Sequence, residues 1–316
     1  MRTLIAALVR RGPTVLACGV GLGLLVPPLA ALARPLMPVT VFVFVFVLGT
    51  LLRVEPSAVR AVARRPAVSL LLPAMTMIAC PVALGVAARL AGLPYDWVVA
   101  LVIAYCAPPS SGTSTIARML SLDASVALVA TLASMVFVPL TAPLLTAWFS
   151  HDAAVSISPS SLALRLALLI GSAEGVALLV RRFAGARLAR HATPIDAIVV
   201  VALLIFALGT MAGMQQSIVD APHRALTAIA LAFAVNAGFQ IVAYGLTPGD
   251  VRTRLNVALI VANRNVGLMW AALGLAATPT MALVFACAQL PIYTLPRVVQ
   301  HLLPRLEAQR LHRRAR

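Results

Sequence analysis

The sequence contains no lysine: its 25 basic residues are all arginine, set against only nine Asp and Glu. Charged residues amount to 11% of the chain, whereas soluble domains carry roughly a quarter. No polar stretch is long enough to form a separate soluble domain. Cysteine is scarce too. Cys18, Cys80, Cys106 and Cys287 each fall inside an apolar run, which excludes a disulfide framework and any metal-ligand spacing. His151, His191, His223, His301 and His312 sit in loops, at span ends or in the tail, so no His-based metal site and no cofactor is expected. The chain also lacks HExxH, GxSxG and any Asp/Glu-rich run that would hold a catalytic metal. It reads as a non-enzyme.

What remains is hydrophobic: 61% of residues, with a mean hydropathy of +0.99. At about 20 residues per crossing, a chain of 316 residues accommodates about ten transmembrane helices. The expectation is an all-α polytopic membrane protein, a single membrane domain over residues 1–316. A net charge of +16 is also the mark of a nucleic-acid binder. Here nearly all the arginines lie between apolar runs, where they form a belt for lipid headgroups. Membrane lipid is the expected partner, with no nucleic acid and no obligate protein partner.

Apolar runs between Arg, Pro and Asp residues give spans at 14–33, 36–52, 67–91, 96–120 and 122–149, then 160–180, 195–213, 222–246, 251–275 and 278–302. Arg10 and Arg11, an apolar run and Ala31-Leu32-Ala33 also fit a cleaved leader. The length of residues 15–33 and the equal apolarity of the rest favour a retained span. With a cytoplasmic N-terminus, 20 arginines fall on the cytoplasmic side and only Arg34, Arg89 and Arg224 on the other. That bias predicts a bacterial inner-membrane protein with both termini cytoplasmic. Tyr95, Trp97 and Trp148 would then lie at the outer interface. The tail at 303–316 reads as a basic helix resting on anionic lipid.

Two spans are not clean helices. The fourth carries Cys106-Ala107-Pro108-Pro109-Ser110-Ser111-Gly112-Thr113-Ser114-Thr115, in which paired prolines remove two backbone donors. The ninth carries Asn263-Arg264-Asn265-Val266-Gly267 in an otherwise apolar run. Irregular or polar backbone at membrane depth needs protein or a water-filled cavity around it, so both spans read as broken helices lining a site. Each break falls in the fourth span of its half, residues 1–150 and 151–302. An odd number of spans per half inverts the second half, and matched breaks in inverted repeats point to a transporter's binding site.

In these segments the chain resembles the sodium/bile acid symporter family. That family's Pro-Gly-Gly-Thr-Ala-Ser-Asn run has Pro108-Pro109-Ser110-Ser111-Gly112-Thr113-Ser114 as its counterpart, followed by Ile116-Ala117, Asp123, Pro139 and Pro143-Leu144-Leu145. Its Glu-Val-Gly-Met-Gln-Asn-Ser-Gly-Leu run corresponds to Ile260 through Leu268, with Val261, Asn265, Gly267 and Leu268 matching. The resemblance implies ten helices in two inverted five-helix repeats, a panel and a core, and broken fourth and ninth helices that cross. It also implies a sodium site, but the sodium-coordinating Glu falls on Ile260 and the Gln on Arg264. Losing a carboxylate and gaining a guanidinium removes the charge balance for a cation, so sodium-independent behaviour is expected.

Arg264 is the sharpest residue, because a charge at bilayer depth costs about 2.5–3.5 kcal/mol on insertion scales. It reads as a ligand for an anionic substrate, as a stand-in for sodium on helix carbonyls, or as a snorkelling side chain. Asn263, Asn265, Ser110, Ser111, Thr113, Ser114 and Thr115 are the remaining candidate substrate contacts. Glu174 is a carboxylate hydrated or paired near Arg181 and Arg182, or else a coupling site or partner for Arg264. Arg165 reads chiefly as snorkelling. Asn236, Gln240 and Gln289 line the cavity or bond between helices. The functional expectation is alternating-access transport of a small organic anion. The alternatives are metalloid oxyanion efflux, for which Cys106 is the candidate, and a membrane sensor that binds ligand without moving it.

Overall fold

A computed structural model of the protein describes residues 12–33, 39–52, 56–150, 157–190 and 192–314. Arg2, Arg10, Arg11, Arg34, Arg53 and Arg316 of the arginine belt, and His151 and His191, lie outside them. Among the described residues every element is helical, apart from one isolated antiparallel bridge between Pro109 and Arg264.

The first half holds α1 (Gly12–Leu25), α2 (Pro27–Ala33), α3 (Val39–Leu52), α4 (Pro56–Ala63), α5 (Ala67–Leu90), α6 (Tyr95–Tyr105), α7 (Thr113–Met119) and α8 (Ala124–Ser150). The second holds α9 (Pro159–Arg190), α10 (Ala192–Thr210), α11 (Met214–Asp220), α12 (Pro222–Leu246), α13 (Val251–Ala262), α14 (Val266–Leu273) and α15 (Pro279–Arg314).

Among the described residues six segments are long and apolar enough to cross a membrane: Ala67–Leu90, Ala124–Ser150, Pro159–Gly185, Ala197–Asp220, Pro222–Leu246 and Pro279–Ala308, or seven if the bent pair α1/α2 is one span. This is the make-up of a multi-pass membrane protein. The bend in that pair is 110°. Its cause is local: Pro27 and Pro28 bring no N–H, and a residue before proline, here Val26, is driven out of the helical region. The sequence reading of residues 14–33 as one plain span missed this corner. Helix α3 has 14 residues, about 21 Å of rise, and is shorter than a full crossing.

The surface is apolar where a membrane would cover it. Leu90, Phe183, Leu246 and Leu168 are all more than half exposed. Inside, helices pack through small residues, as lipid-embedded helices do. A Cβ on Gly49 of α3 would stand 2.3 Å from Val199 of α10, and one on Gly23 of α1 would stand 3.1 Å from the Leu208 carbonyl.

The packing partners recur between the halves. Helix α1 packs on α10 and α3 on α9; α5 packs on α8 and α12 on α15; α8 packs on α9 and α15 on α1. Polar side chains close several helix ends against neighbours. Arg165 of α9 donates to the carbonyls of Ala272 (3.3 Å) and Leu273 (3.1 Å) at the end of α14. Arg181 donates to the Leu51 carbonyl and Gln215 to that of Leu24. Arg165 thus caps a neighbouring helix, a contact that its reading as a snorkelling side chain does not include.

Candidate functional site

Residues 106–112 and 263–265 are the two interruptions, and they lie against each other. The Ser110 N–H donates to the Asn263 carbonyl at 2.8 Å, and the Asn265 N–H donates to the Pro108 carbonyl at 2.8 Å. Two chain segments running in opposite directions are stitched by two backbone bonds. The pattern follows from composition. Pro109, at the centre of the stitch, has no N–H to satisfy, and the flanking donors and acceptors pair with the other break instead of with their own helices. Helices α6 and α13 end at this crossing, while α7 and α14 begin there.

Side chains lock the crossing. The Asn265 side-chain carbonyl accepts from the Leu268 N–H at 3.2 Å and caps α14, while its amide donates to the Ser111 hydroxyl at 3.3 Å. Thr50 of α3 donates to the Ser111 carbonyl at 3.2 Å. Asn236 of α12 donates to the Ala262 carbonyl at 3.1 Å and to the Asn263 side-chain oxygen at 3.4 Å, and it accepts from Gln240 at 2.7 Å. Asn236 and Gln240 therefore form a bonded pair, and Asn236 also lines a recess.

Arg264 is 2% exposed. Its Nη1 donates to the Ala107 carbonyl at 3.4 Å, and its guanidinium carbon sits 5.3 Å from the centre of the Tyr105 ring. Nε and Nη2 are buried with no hydrogen-bond partner among the described residues. Cys80, Tyr105 and Cys106 all lie within the field of this charge. A carbonyl at the end of α6 is a favourable partner for a cation, but one long bond leaves most of the guanidinium's donors unmet.

Most of the hydroxyl run gathers here. Ser111, Thr113 and Ser114 are buried, and the Thr113 hydroxyl has no partner. Ser110, half-buried, accepts from the Gly112 N–H at 3.3 Å. Thr115 faces away toward Arg118, from which it accepts at 3.2 Å. Asn263 is fully buried, and its amide nitrogen also lacks a partner. Ile260 is fully buried in an apolar cluster with Val261 and Leu259.

Narrow recesses border the crossing. One, apolar and with room for about one water molecule, lies among α6, α12, α13 and α15, and Tyr105 and Arg264 are on its wall. Another is more polar. Ser110, Ser111, Arg264, Asn265 and Gln289 line it opposite Phe46 and Phe206 of α3 and α10.

Glu174 is exposed on α9, and among the described residues no ion pair joins it to Arg264. Trp97 is buried against protein: its ring sits under Arg224, which also pairs with Asp96 at 3.4 Å. Trp148 is exposed, at 61%. Sequence reasoning passed over Tyr105 and Thr50. An aromatic one residue before a proline-bearing break was the available signal for Tyr105; Thr50 had none. Among the described residues no three His, Cys, Asp or Glu side chains gather as a metal site. The sequence matches no protein-family model and no curated protein.

Proposed function

We propose that this protein is a secondary transporter that moves a small organic anion by alternating access, with Arg264 at the centre of its site. The observation that carries the reading is the meeting of two interrupted helices at a buried arginine whose Nε and Nη2 have no partner. Irregular backbone at membrane depth survives where it serves a pathway, and an intramembrane charge marks one. A cation with unused donors calls for an anion. Asn265, Asn263, Ser110, Ser111, Thr113 and Ser114 surround the crossing and supply polar contacts, whereas Thr115 is committed elsewhere.

The reading includes ten crossings in two inverted five-crossing halves. It is supported by the recurrent packing pairs and by the match of interrupted segments at the fourth position of each half. It includes sodium independence, because Ile260 presents no oxygen and Arg264 already holds a positive charge where helix carbonyls end. Kinship with the sodium/bile acid symporter family, residence in a bacterial inner membrane and cytoplasmic termini belong to the same proposal, on the residues and the arginine bias described above.

The test is flux. Purified protein reconstituted in vesicles is loaded with radiolabelled organic anions, and counterflow is measured in sodium and in choline. The reading predicts equal counterflow in both salts for the wild type and none for Arg264→Gln. Ligand binding without counterflow would make the protein a sensor. Counterflow that requires sodium would overturn the sodium-independence claim.

A further inference from the structure

The arginines at the two ends of α5 are treated differently. At its far end the Arg89 guanidinium lies 4.9 Å from the centre of the Phe149 ring and 5.7 Å from that of Tyr95. Near its start Arg60, Arg64 and Arg65 are exposed, and among the described residues none of the three side chains has a partner. Arg60 is carried by α4, and the chain passes from α4 through Arg64 and Arg65 into α5, which is apolar enough to cross a membrane. Arg60 and Arg64 are about one helical turn apart. Helix α4 packs on α8 and on the first turn of α5, and its Val62 is buried. Beyond the arginines, Leu70 and Leu71 of α5 are more than half exposed, and Ala74 and Ile78 are exposed on the turns that follow. Unpaired cations beside an exposed apolar run fit the two halves of one ligand, a negative head and a hydrocarbon chain.

We infer that α4 and the start of α5 form a binding site for an anionic phospholipid, with the headgroup phosphate held by Arg60, Arg64 and Arg65 and an acyl chain lying along Leu70, Leu71 and Ile78. Guanidinium forks match phosphate oxygens, and basic residues beside a span draw anionic lipid to it. Other arginines of the belt are committed within the protein. Arg252 pairs with Glu307, Arg254 donates to the Tyr244 carbonyl, and Arg224 pairs with Asp96. The three at α4 keep their charge for a ligand. A soluble phosphate ester brings the charge but no chain to cover Leu70 and Leu71. A zwitterionic lipid brings the chain, but its own ammonium offsets the phosphate. The site is independent of the transport reading.

Native mass spectrometry of the detergent-purified protein tests it by titration with phosphatidylglycerol, phosphatidylcholine of the same chains, and glycerol 3-phosphate. Phosphatidylglycerol should bind about tenfold or more tightly than phosphatidylcholine. Glycerol 3-phosphate should not bind measurably, and the lipid preference should shrink as salt rises. Arg64→Gln/Arg65→Gln should cut the preference to about twofold. Arg182→Gln/Arg297→Gln removes as much charge from exposed positions on α9 and α15, and should leave the preference intact. The wild-type series needs no variant to fold. Phosphatidylcholine bound as tightly as phosphatidylglycerol overturns the site. So does glycerol 3-phosphate bound as tightly as the lipid, which would make this a site for free phosphate esters. An equal loss of preference in both double variants overturns it too, because the preference would then belong to the arginine belt as a whole.

Discussion

Arg165 and Arg264 are the two arginines that the sequence leaves within spans, and the structure treats them in opposite ways. Arg165, exposed on α9, reaches two carbonyls at the frayed end of α14 and closes that helix. Arg264 is buried, reaches one carbonyl at 3.4 Å, and holds an edge of donors with nothing to meet. Arg165 supplies what a helix end lacks. Arg264 adds a need of its own. A protein that keeps a desolvated, under-bonded charge keeps it for something other than stability. The contrast rests on bonding and burial alone, with no appeal to depth in the membrane.

The largest effect expected is Arg264→Gln on anion binding, a loss of about a hundredfold or more, since the buried positive charge proposed to hold the anion is removed. The same change should leave the melting temperature of the ligand-free protein equal to or above that of the wild type, because it relieves a desolvated charge. A fall of several degrees would class Arg264 with Arg165. Asn265→Ala removes the cap of α14 and the contact to Ser111, and should cost about 1 kcal/mol in chemical denaturation. Arg165→Gln should cost about 0.5–1 kcal/mol with organic-anion affinity unchanged, because the bonds it loses are partly solvated. Glu174→Gln is the smallest: stability within about 0.5 kcal/mol and no change in the pH dependence of flux, as befits an exposed group far from any role. A changed pH profile would restore Glu174 as a coupling residue.

Much of the site was legible because broken helices announce themselves. Paired prolines at Pro108 and Pro109, and Asn263-Arg264-Asn265 in an apolar run, mark the two interruptions on chemistry alone. That the interruptions touch was implied by the family resemblance and is visible in the Ser110 and Asn265 bonds. What sequence could not give is which face of an apolar helix meets protein. In α9 both faces are hydrophobic, so no periodicity told that Glu174 points outward. Nor did the sequence show that the Trp97 ring is covered by protein, under Arg224 and beside Asp96. The corner at Val26 was present in Pro27-Pro28 but was outweighed by the continuous apolar run around it.

The most direct measurement is the melting temperature of purified wild type and Arg264→Gln, each with and without a saturating organic anion, in sodium and again in choline. The account predicts stabilisation of the wild type by the anion to the same extent in both salts, and none in Arg264→Gln at an undiminished ligand-free melting temperature. Stabilisation that survives in Arg264→Gln, or that appears only in sodium, would contradict it.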